Sequence, residues 1–307
     1  MLTRRHLLAA PLALPAARAF AADSARTRLI LLGTAGGPTP KPNRAAPAQV
    51  ILVGGAAYVI DAGNGVARQL VLAGVPLRAL RAIFITHMHS DHVADLGNLQ
   101  WLAWSDNLTT PVDSYGPPPL QQMQRQFLAM NRVDIETRIR DEGRPPLAPL
   151  LRGHDLAKPG LVMADDRVRV TAALVNHPPV VPSFAYRFDT ADRSIVISGD
   201  TSASPALVTL ARGADVLVHE IMLPSAIEPL IRNAPDAKTL RQHLLASHST
   251  PEQVGRAATA AGVKTLVLSH FVPGGVPAVA DEVWREAVRP WFAGEVIVGR
   301  DLMELVF

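Results

Sequence analysis

The sequence predicts an α/β protein in which two β-sheets lie face to face between layers of helices, a four-layer αββα sandwich. The chain has 307 residues, a length typical of one large α/β domain, and 48% of them are hydrophobic, which is enough for an extensive core. Short apolar runs rich in β-forming residues alternate with helix-like segments. Polar residues follow several of these runs, where the side chains of neighbouring strands converge above a sheet edge.

The elements before residue 105 are apolar runs separated by glycine-rich turns. Gly54-Gly55 joins the second and third runs as a hairpin. Residues 33–37 are rich in glycine, but no P-loop lysine and no helix follow them, so we interpret them as a permissive loop near the site rather than as a phosphate cradle. The predicted strands span 28–32, 48–53, 57–60 and 82–85, and the predicted helices span 66–73 and 96–104.

Residues 105–160 have the least regular pattern. A strand is predicted at 112–115 and a helix at 119–131, followed by a proline-rich turn near Pro145-Pro146. Long irregular segments inside compact domains are commonly functional, so we predict a lid or an insertion over the site rather than a second domain.

Strands return after residue 167 and are interleaved with helices. Ser249 or Thr250 is the expected N-cap of the helix that begins at residue 251. The predicted strands span 168–175, 183–188, 194–198, 216–219, 265–269, 295–298 and 302–306, and the predicted helices span 205–212, 237–246, 251–261 and 280–288.

The N-terminus has the pattern of a twin-arginine signal peptide. Arg4-Arg5 precedes a short apolar stretch, and Ala19-Phe20-Ala21 offers a small-x-small cleavage site. The stretch is too short and too interrupted by proline to span a membrane. We therefore predict that residues 1–21 are a signal peptide, that residues 22–307 form the domain, and that the protein is periplasmic or secreted; a frayed apolar tail is the alternative.

Composition limits the ligands and the partners. The chain has no cysteine, so disulfides and thiolate ligands are excluded and any metal must be held by His, Asp or Glu. Removing residues 1–21 reduces the basic residues from 30 to 27, which equals the number of acidic residues. A neutral mature chain has no charge excess for a nucleic-acid partner, and such a partner is therefore disfavoured.

The densest group of metal-ligand side chains follows the predicted strand at 82–85. His87 and His89 are two positions apart, so they project to the same side of an extended chain, and Asp91 and His92 follow directly. Neutral imidazole and carboxylate are ligands that zinc prefers, and so many polar groups after a buried strand are costly without a cation. The alternative is a polar loop whose histidines only form hydrogen bonds.

This pattern, His-x-His-x-Asp-His, resembles the signature of the metallo-β-lactamase superfamily, and the resemblance covers nearly all of residues 28–307. It continues with His177, Asp200 and His270, each of which follows an apolar strand. The resemblance implies the αββα fold and a site for two zinc ions, with manganese or iron as alternative metals. Asp200 would bridge the ions, and the other ligands would be His87, His89 and His177 on one ion and Asp91, His92 and His270 on the other.

Further motifs resemble the ribonuclease Z and arylsulfatase-type branch of the superfamily. These are Gly33-Thr34, His219-Glu220 and His248-Ser249-Thr250. The resemblance implies that His248 protonates or polarises the leaving group and that Glu220 orients His248; with Asp91, these are the predicted catalytic residues.

Three other residues have weaker assignments. Asp61 resembles the family's aspartate that orients a ligand histidine, and the alternative is a plain turn residue. His154 and His243 have no motif around them, so no role is predicted for either.

Two departures from ribonuclease Z bear on the substrate. Asp200 lies only 23 positions after His177, which leaves no room for the long arm with which ribonuclease Z grips transfer RNA, and Ser90 stands where that family usually has glycine. We therefore expect an exported dinuclear zinc hydrolase of small phosphodiester or sulfate esters, with a metal-bridged hydroxide as nucleophile.

The expected partner is a small-molecule ester substrate, with no membrane partner, and a homodimer is left open. The alternative functions are a lactone or β-lactam hydrolase, a ribonuclease Z-like endoribonuclease, and a non-catalytic metal-binding scaffold.

Overall fold

Two seven-stranded β-sheets form the centre of the protein in a computed structural model, which describes residues 26–275 and 278–306. The strands are β1 (Arg28–Gly33), β2 (Ala48–Val53), β3 (Ala56–Ile60), β4 (Leu80–Phe84), β5 (Val112–Gly116), β6 (Leu151–Asp155), β7 (Gly160–Ala164), β8 (Arg169–Leu174), β9 (Phe184–Asp189), β10 (Ser194–Ile197), β11 (Val216–Met222), β12 (Thr265–Val272), β13 (Glu295–Val298) and β14 (Met303–Val306).

Helices connect many of these strands. They are α1 (Val66–Leu72), α2 (Ser90–Val93), α3 (Leu96–Ser105), α4 (Leu120–Met130), α5 (Arg132–Glu142), α6 (Pro205–Leu210), α7 (Glu228–Arg232), α8 (Leu240–Ser247), α9 (Pro251–Ala261) and α10 (Asp281–Val288). Short 3-10 turns occur at Leu77–Ala79, Ala148–Leu150 and Pro224–Ala226.

Each sheet is antiparallel in one half and parallel in the other. The first has the order β14-β1-β2-β3-β4-β5-β6, and the strands from β3 to β6 are parallel. The second has the order β13-β12-β11-β10-β9-β8-β7, and the strands from β10 to β13 are parallel. Because parallel neighbours need crossover connections, the helices lie between these strands in sequence and cover the outer faces.

The core has three apolar layers, as the αββα prediction requires. On β1, Leu29 and Leu31 pack between the two sheets, whereas Ile30 and Leu32 pack on the helix side. This alternation follows from the period of two along a strand. Trp284 of α10 and Val254 of α9 belong to the third layer, on the outer face of the second sheet. The predicted fold class is therefore confirmed.

The two strands that carry the site are longer than the sequence predicted. The apolar pattern suggested that β11 ends at His219 and β12 at Ser269, but pairing continues to Met222 and Val272. Polar residues interrupt the apolar run at Glu220 and His270, but the strands continue: Glu220 pairs with Ser269, and His270 is a bulged residue after which pairing resumes at Phe271. The helix α5 and the strands β6 and β7 were also not predicted.

Residues 105–160, predicted as a lid or insertion, supply β5, β6, α4 and α5. The strands β5 and β6 extend the parallel end of the first sheet, and α4 packs on β6 and α3. Phe127 of α4 lies against Gly97 of α3, where a side chain larger than hydrogen would meet the ring. The segment therefore forms one end of the first sheet and its helix layer.

The predicted signal peptide, residues 1–21, lies outside the residues that the structure describes. Within residues 26–275 and 278–306, no helix combines the length and the apolar character needed to cross a membrane.

Asp215 ties together the starts of three parallel strands of the second sheet. Asp215 directly precedes β11. Its Oδ2 accepts hydrogen bonds from the backbone N and the Oγ of Ser194, at the start of β10. Its Oδ1 accepts one from Nζ of Lys264, just before β12, at 2.6 Å. Although burial favours the neutral acid, these bonds lower the pKa of Asp215 to about 2.

Replacing Asp215 by Asn should lower the free energy of unfolding by about 1 kcal/mol at neutral pH, because the amide is uncharged and has one acceptor oxygen instead of two, so that one set of hydrogen bonds is lost and the other becomes neutral. Since the pKa of Asp215 is lower in the folded protein than in the unfolded chain, this contribution is complete above about pH 4 and is lost as the pH falls through about 2. Urea titrations of both proteins at several pH values measure it. A stability difference that stays constant down to acid pH would contradict the assignment.

Candidate active site

The loop after β4 brings most of the ligand-type side chains into the protein. Thr86, His87, Asp91 and His92 are all buried, and the short helix α2 begins at Ser90. The backbone N of Thr86 donates to Oδ1 of Asp61, at 2.8 Å, which fixes the start of the loop against the end of β3. The sequence-predicted cluster therefore forms one compact turn at the edge of the first sheet.

Three imidazoles meet at one point of this turn. Nδ1 of His89 lies 3.0 Å from Nε2 of His87 and 3.0 Å from Nε2 of His177, which follows β8. Oδ2 of Asp200 lies 3.8 Å from the first of these Nε2 atoms and 3.9 Å from the second. Nδ1 of His89 has at most one proton and cannot donate it to both Nε2 atoms. One cation, by contrast, can be bound by all four atoms. This is the first candidate metal position.

A second group lies on the other side of Asp200. Nε2 of His92 is 3.6 Å from Oδ2 of Asp91 and 3.4 Å from Oδ1 of Asp200. Nε2 of His270 is 3.5 Å from Oδ2 of Asp91 and 3.2 Å from Oδ2 of Asp200. Asp200 thus faces both groups, and the structure brings all seven predicted ligands together.

Local backbone geometry aims two of these ligands. Gly199 has φ +58°, and a Cβ there would lie 2.7 Å from the carbonyl oxygen of Phe184, so only glycine lets the chain turn at Asp200. His270 has φ 45° and sits in a β-bulge, since Glu220 pairs with Ser269 but the next pair skips to Phe271. The bulge re-aims the imidazole without ending the strand.

Neighbouring acceptors orient the ligand rings. Nδ1 of His92 lies 2.7 Å from Oδ2 of Asp61, and Nδ1 of His177 lies 2.9 Å from the carbonyl oxygen of Ser247. A proton on each Nδ1 leaves each Nε2 free to face the cluster. Asp61 therefore occupies the orienting position that the sequence suggested.

The donor set fits divalent cations. His92 Nε2, Asp200 Oδ1 and His270 Nε2 are buried and have no hydrogen-bond partner in the protein. Leaving such groups unsatisfied costs about 1–3 kcal/mol each, and a cation between them removes that cost. Burial lowers the pKa of His89 to about 4 and that of His87 well below its usual value, so both rings are neutral, as ligands must be.

His248 and Glu220 form a separate pair beside the ligands. Nδ1 of His248 lies 3.2 Å from Oε1 of Glu220, which also accepts hydrogen bonds from the backbone N of Thr201 and of Ser249. Although burial disfavours the charged ring, the charge of Glu220 raises the pKa of His248 to about 9. The ring lies over His270, with centroids 5.6 Å apart, so a protonated imidazole stands next to the second ligand group.

The helix after His248 holds it in place. Thr250 is the N-cap of α9 and forms a capping box with Gln253, and Pro251 occupies the first turn. His219 points away from this chemistry: it is buried, and its Nδ1 donates to the carbonyl oxygen of Glu220.

A pocket of about 790 Å³ opens above the ligands. Its walls are the loop at 36–42, the segment at 225–248 and the start of the loop after β12, and His89, Asp91, Asp200, His248 and His270 lie at its base. Among the described residues that line it, none comes from residues 105–160.

Two residues without a sequence-predicted role line this pocket. His243 of α8 has ring centroids 5.9 Å from His89 and 6.2 Å from His248. Lys41 is half-buried in the loop at 36–42, and its Nζ hydrogen-bonds Oγ1 of Thr39, at 3.0 Å. His243 precedes His248 by five residues, and this short spacing was the only signal available. His154, by contrast, lies at the surface and pairs with Asp113.

Comparison with known proteins identifies the family. The model of the β-lactamase superfamily domain matches residues 57–271. Ribonuclease Z from Mycobacterium avium is 36% identical over 278 residues, which cover 89% of this chain and 95% of that protein. Ribonuclease Z from Mycobacterium marinum is 32% identical over 277 residues, covering 89% and 96%.

Solved structures support the same fold. The metallo-β-lactamase fold protein YhfI from Bacillus subtilis has a TM-score of 0.69 at 21% identity, over 92% of this chain and 100% of that one. The short form of human tRNase Z has a TM-score of 0.66 at 23% identity, over 91% and 98%.

These relatives correct the functional expectation. A hydrolase of small phosphodiester or sulfate esters is wrong as the main function, since relatives aligned over 89% of the chain are ribonucleases Z. The short connection between His177 and Asp200 misled the sequence argument, because the identity of 32–36% over 89% of the chain places it among these relatives despite that connection.

Family and geometry together make the protein a metal-dependent hydrolase that binds divalent metal. The chain belongs to the metallo-β-lactamase superfamily, in the branch of the ribonucleases Z.

Proposed function

We propose that the protein is a ribonuclease Z-type endoribonuclease that hydrolyses a phosphodiester bond in precursor transfer RNA. The observation that carries this proposal is the 32–36% identity to relatives of that name over 89% of the chain. The residues that the family model matches, 57–271, span every ligand and both members of the His248–Glu220 pair.

The seven ligands have the donor types for two zinc ions, with manganese or iron as alternatives. His87, His89 and His177 would hold one ion, Asp91, His92 and His270 the other, and Asp200 would contact both. Such ions, when bound, supply Lewis acidity that makes water a stronger nucleophile and offsets negative charge on the phosphate.

His248 acts on the leaving oxygen. Glu220 holds its Nδ1 and keeps the ring protonated, so Nε2 carries the proton that the departing ribose oxygen needs. Glu220 is itself fixed by the two backbone N–H groups of Thr201 and Ser249, which prevents it from rotating away. The pair thus provides an oriented general acid.

The pocket above the ligands suits the sugar-phosphate backbone of an RNA. Its volume of about 790 Å³ leaves room for substrate beside His248. Lys41 places a positive charge in its wall, and such charges position nucleic acids by their phosphates. His243 adds a hydrogen-bonding ring to the same wall.

The proposed RNA substrate replaces the small-molecule ester expected from the sequence. The twin-arginine signal, export and a homodimer remain predictions.

The zinc-loaded protein should cleave a precursor transfer RNA transcript at a single position, and a metal chelator should abolish cleavage. Gel analysis of end-labelled RNA measures both effects, and re-addition of Zn²⁺ or Mn²⁺ should restore activity. A matched single-stranded RNA of equal length serves as the substrate control. A metal-replete protein that leaves precursor transfer RNA intact would refute the proposed function.

Changing His248 to Ala should reduce kcat on RNA about 100- to 1,000-fold, because general acid catalysis is lost, and should leave the metal content unchanged. The loss should be smaller with bis(4-nitrophenyl) phosphate, whose leaving group needs little protonation. Steady-state kinetics and elemental analysis measure these quantities. His154→Ala is the matched control and should keep full activity. Loss of metal from the His248 variant, or equal losses on both substrates, would argue against an acid role.

Changing His243 to Ala should raise KM for RNA about tenfold with little change in kcat, since the ring contacts bound substrate rather than the reacting atoms. Gln242→Ala, a change at the residue before His243 in α8, is the control. If kcat falls while KM stays constant, His243 does not serve substrate binding.

A further inference from the structure

A small internal cavity of about 20 Å³ lies between the two sheets, beneath the ligand cluster. Asp200 and His270 line both this cavity and the large pocket, so the ligands separate one from the other. A cavity of roughly 10–15 Å³ already holds one water molecule if polar partners surround it. The size therefore suits one water and no larger ligand.

Besides the three unpaired atoms already assigned to the metal positions, four atoms of residues that line this cavity have no hydrogen-bond partner in the protein: Gln49 Oε1, Glu220 Oε2, Ser269 Oγ and His270 Nδ1. Their residues are 4%, 2%, 2% and 5% exposed. Buried polar atoms are nearly always paired, and each unpaired one costs about 1–3 kcal/mol. Four in one place indicate a shared polar ligand.

The strand period explains why these side chains meet. Val218 and Val267 pack between the sheets, so Glu220 and Ser269, two positions further along β11 and β12, point to the same side. Gln49 points there from β2, because its neighbour Val50 packs on the helix side. Three strands of two sheets therefore aim polar atoms at one small space.

The four atoms match the hydrogen-bonding capacity of water. Nε2 of His270 lies in the second ligand group, beside Asp91 and Asp200, and is the atom that would bind a metal. With a metal on Nε2, the neutral ring carries its proton on Nδ1, which is then a donor. Ser269 Oγ can donate a second hydrogen bond, and Glu220 Oε2 and Gln49 Oε1 are acceptors. Water accepts two hydrogen bonds and donates two, so the capacity of a single molecule equals two donors and two acceptors.

We propose that this cavity is a binding site for one structural water, held by Ser269 and Gln49, which links the metal ligand His270 to Glu220. A cation would meet the N–H of His270, and an anion would meet the carboxylate of Glu220, so water is the ligand that fits. Ser269 and Gln49 are thereby positioning residues: they fix the ring of His270 and the second oxygen of the carboxylate that orients His248.

The first test is a high-resolution crystal structure of the cobalt-loaded protein. The expected result is an ordered water within hydrogen-bond distance of at least three of the four atoms. A cavity without density, or one filled by a rotated side chain, would overturn the proposal. This result does not depend on RNA being the substrate.

The second test measures binding of Co²⁺ to Ser269→Ala and Gln49→Leu. Groups that orient a metal ligand typically change metal affinity by 10- to 100-fold, so each variant should bind Co²⁺ about tenfold more weakly and show an altered visible spectrum. Ser114→Ala removes an equally buried hydroxyl from β5, far from the cavity, and should change neither quantity. Unchanged spectra and affinities in both cavity variants would also overturn the proposal.

Discussion

The convergence of six other ligand side chains around Asp200 is the constraint on which the rest of the structure depends. The residue lies at the end of β10, buried between two groups of imidazoles, with its oxygens 3.2 to 3.9 Å from four ring nitrogens. So many polar atoms removed from water are stable only if charge is balanced among them. The dense hydrogen bonding around the cluster, and the cations that fit within it, follow from this requirement.

The two sheets hold residues of the site in backbone conformations that would otherwise be unfavourable. Asp61 and His270 both have positive φ, a conformation that costs non-glycine residues free energy, and both occur where a strand ends or bulges. In each case ladder hydrogen bonds on either side hold the backbone in place. The fold thus uses its apolar layers to aim side chains in directions that regular strands would not allow.

Chemistry and substrate are set by different parts of the molecule. The ligands and the His248–Glu220 pair define a hydrolytic centre whose chemistry does not depend on what is attached to the reacting phosphate. The loop at 36–42 and the segment at 225–248 shape the pocket above that centre. The expectation of a small ester was drawn mainly from a missing arm, whereas similarity over 89% of the chain places the protein in the ribonuclease Z branch.

The amino-acid sequence by itself determined the fold class, most of the strands and helices, and the order of the ligands, because these depend on local periodicity and on spacing along the chain. Only the tertiary structure decided that Asp200 faces both ligand groups, that His270 turns inward through a bulge, and that His243 stands beside His89. It also brought Gln49, Glu220 and Ser269 together around one cavity. Such relations depend on how two sheets pack across a shared apolar layer, and packing between segments distant in sequence leaves no trace in the local pattern of residues.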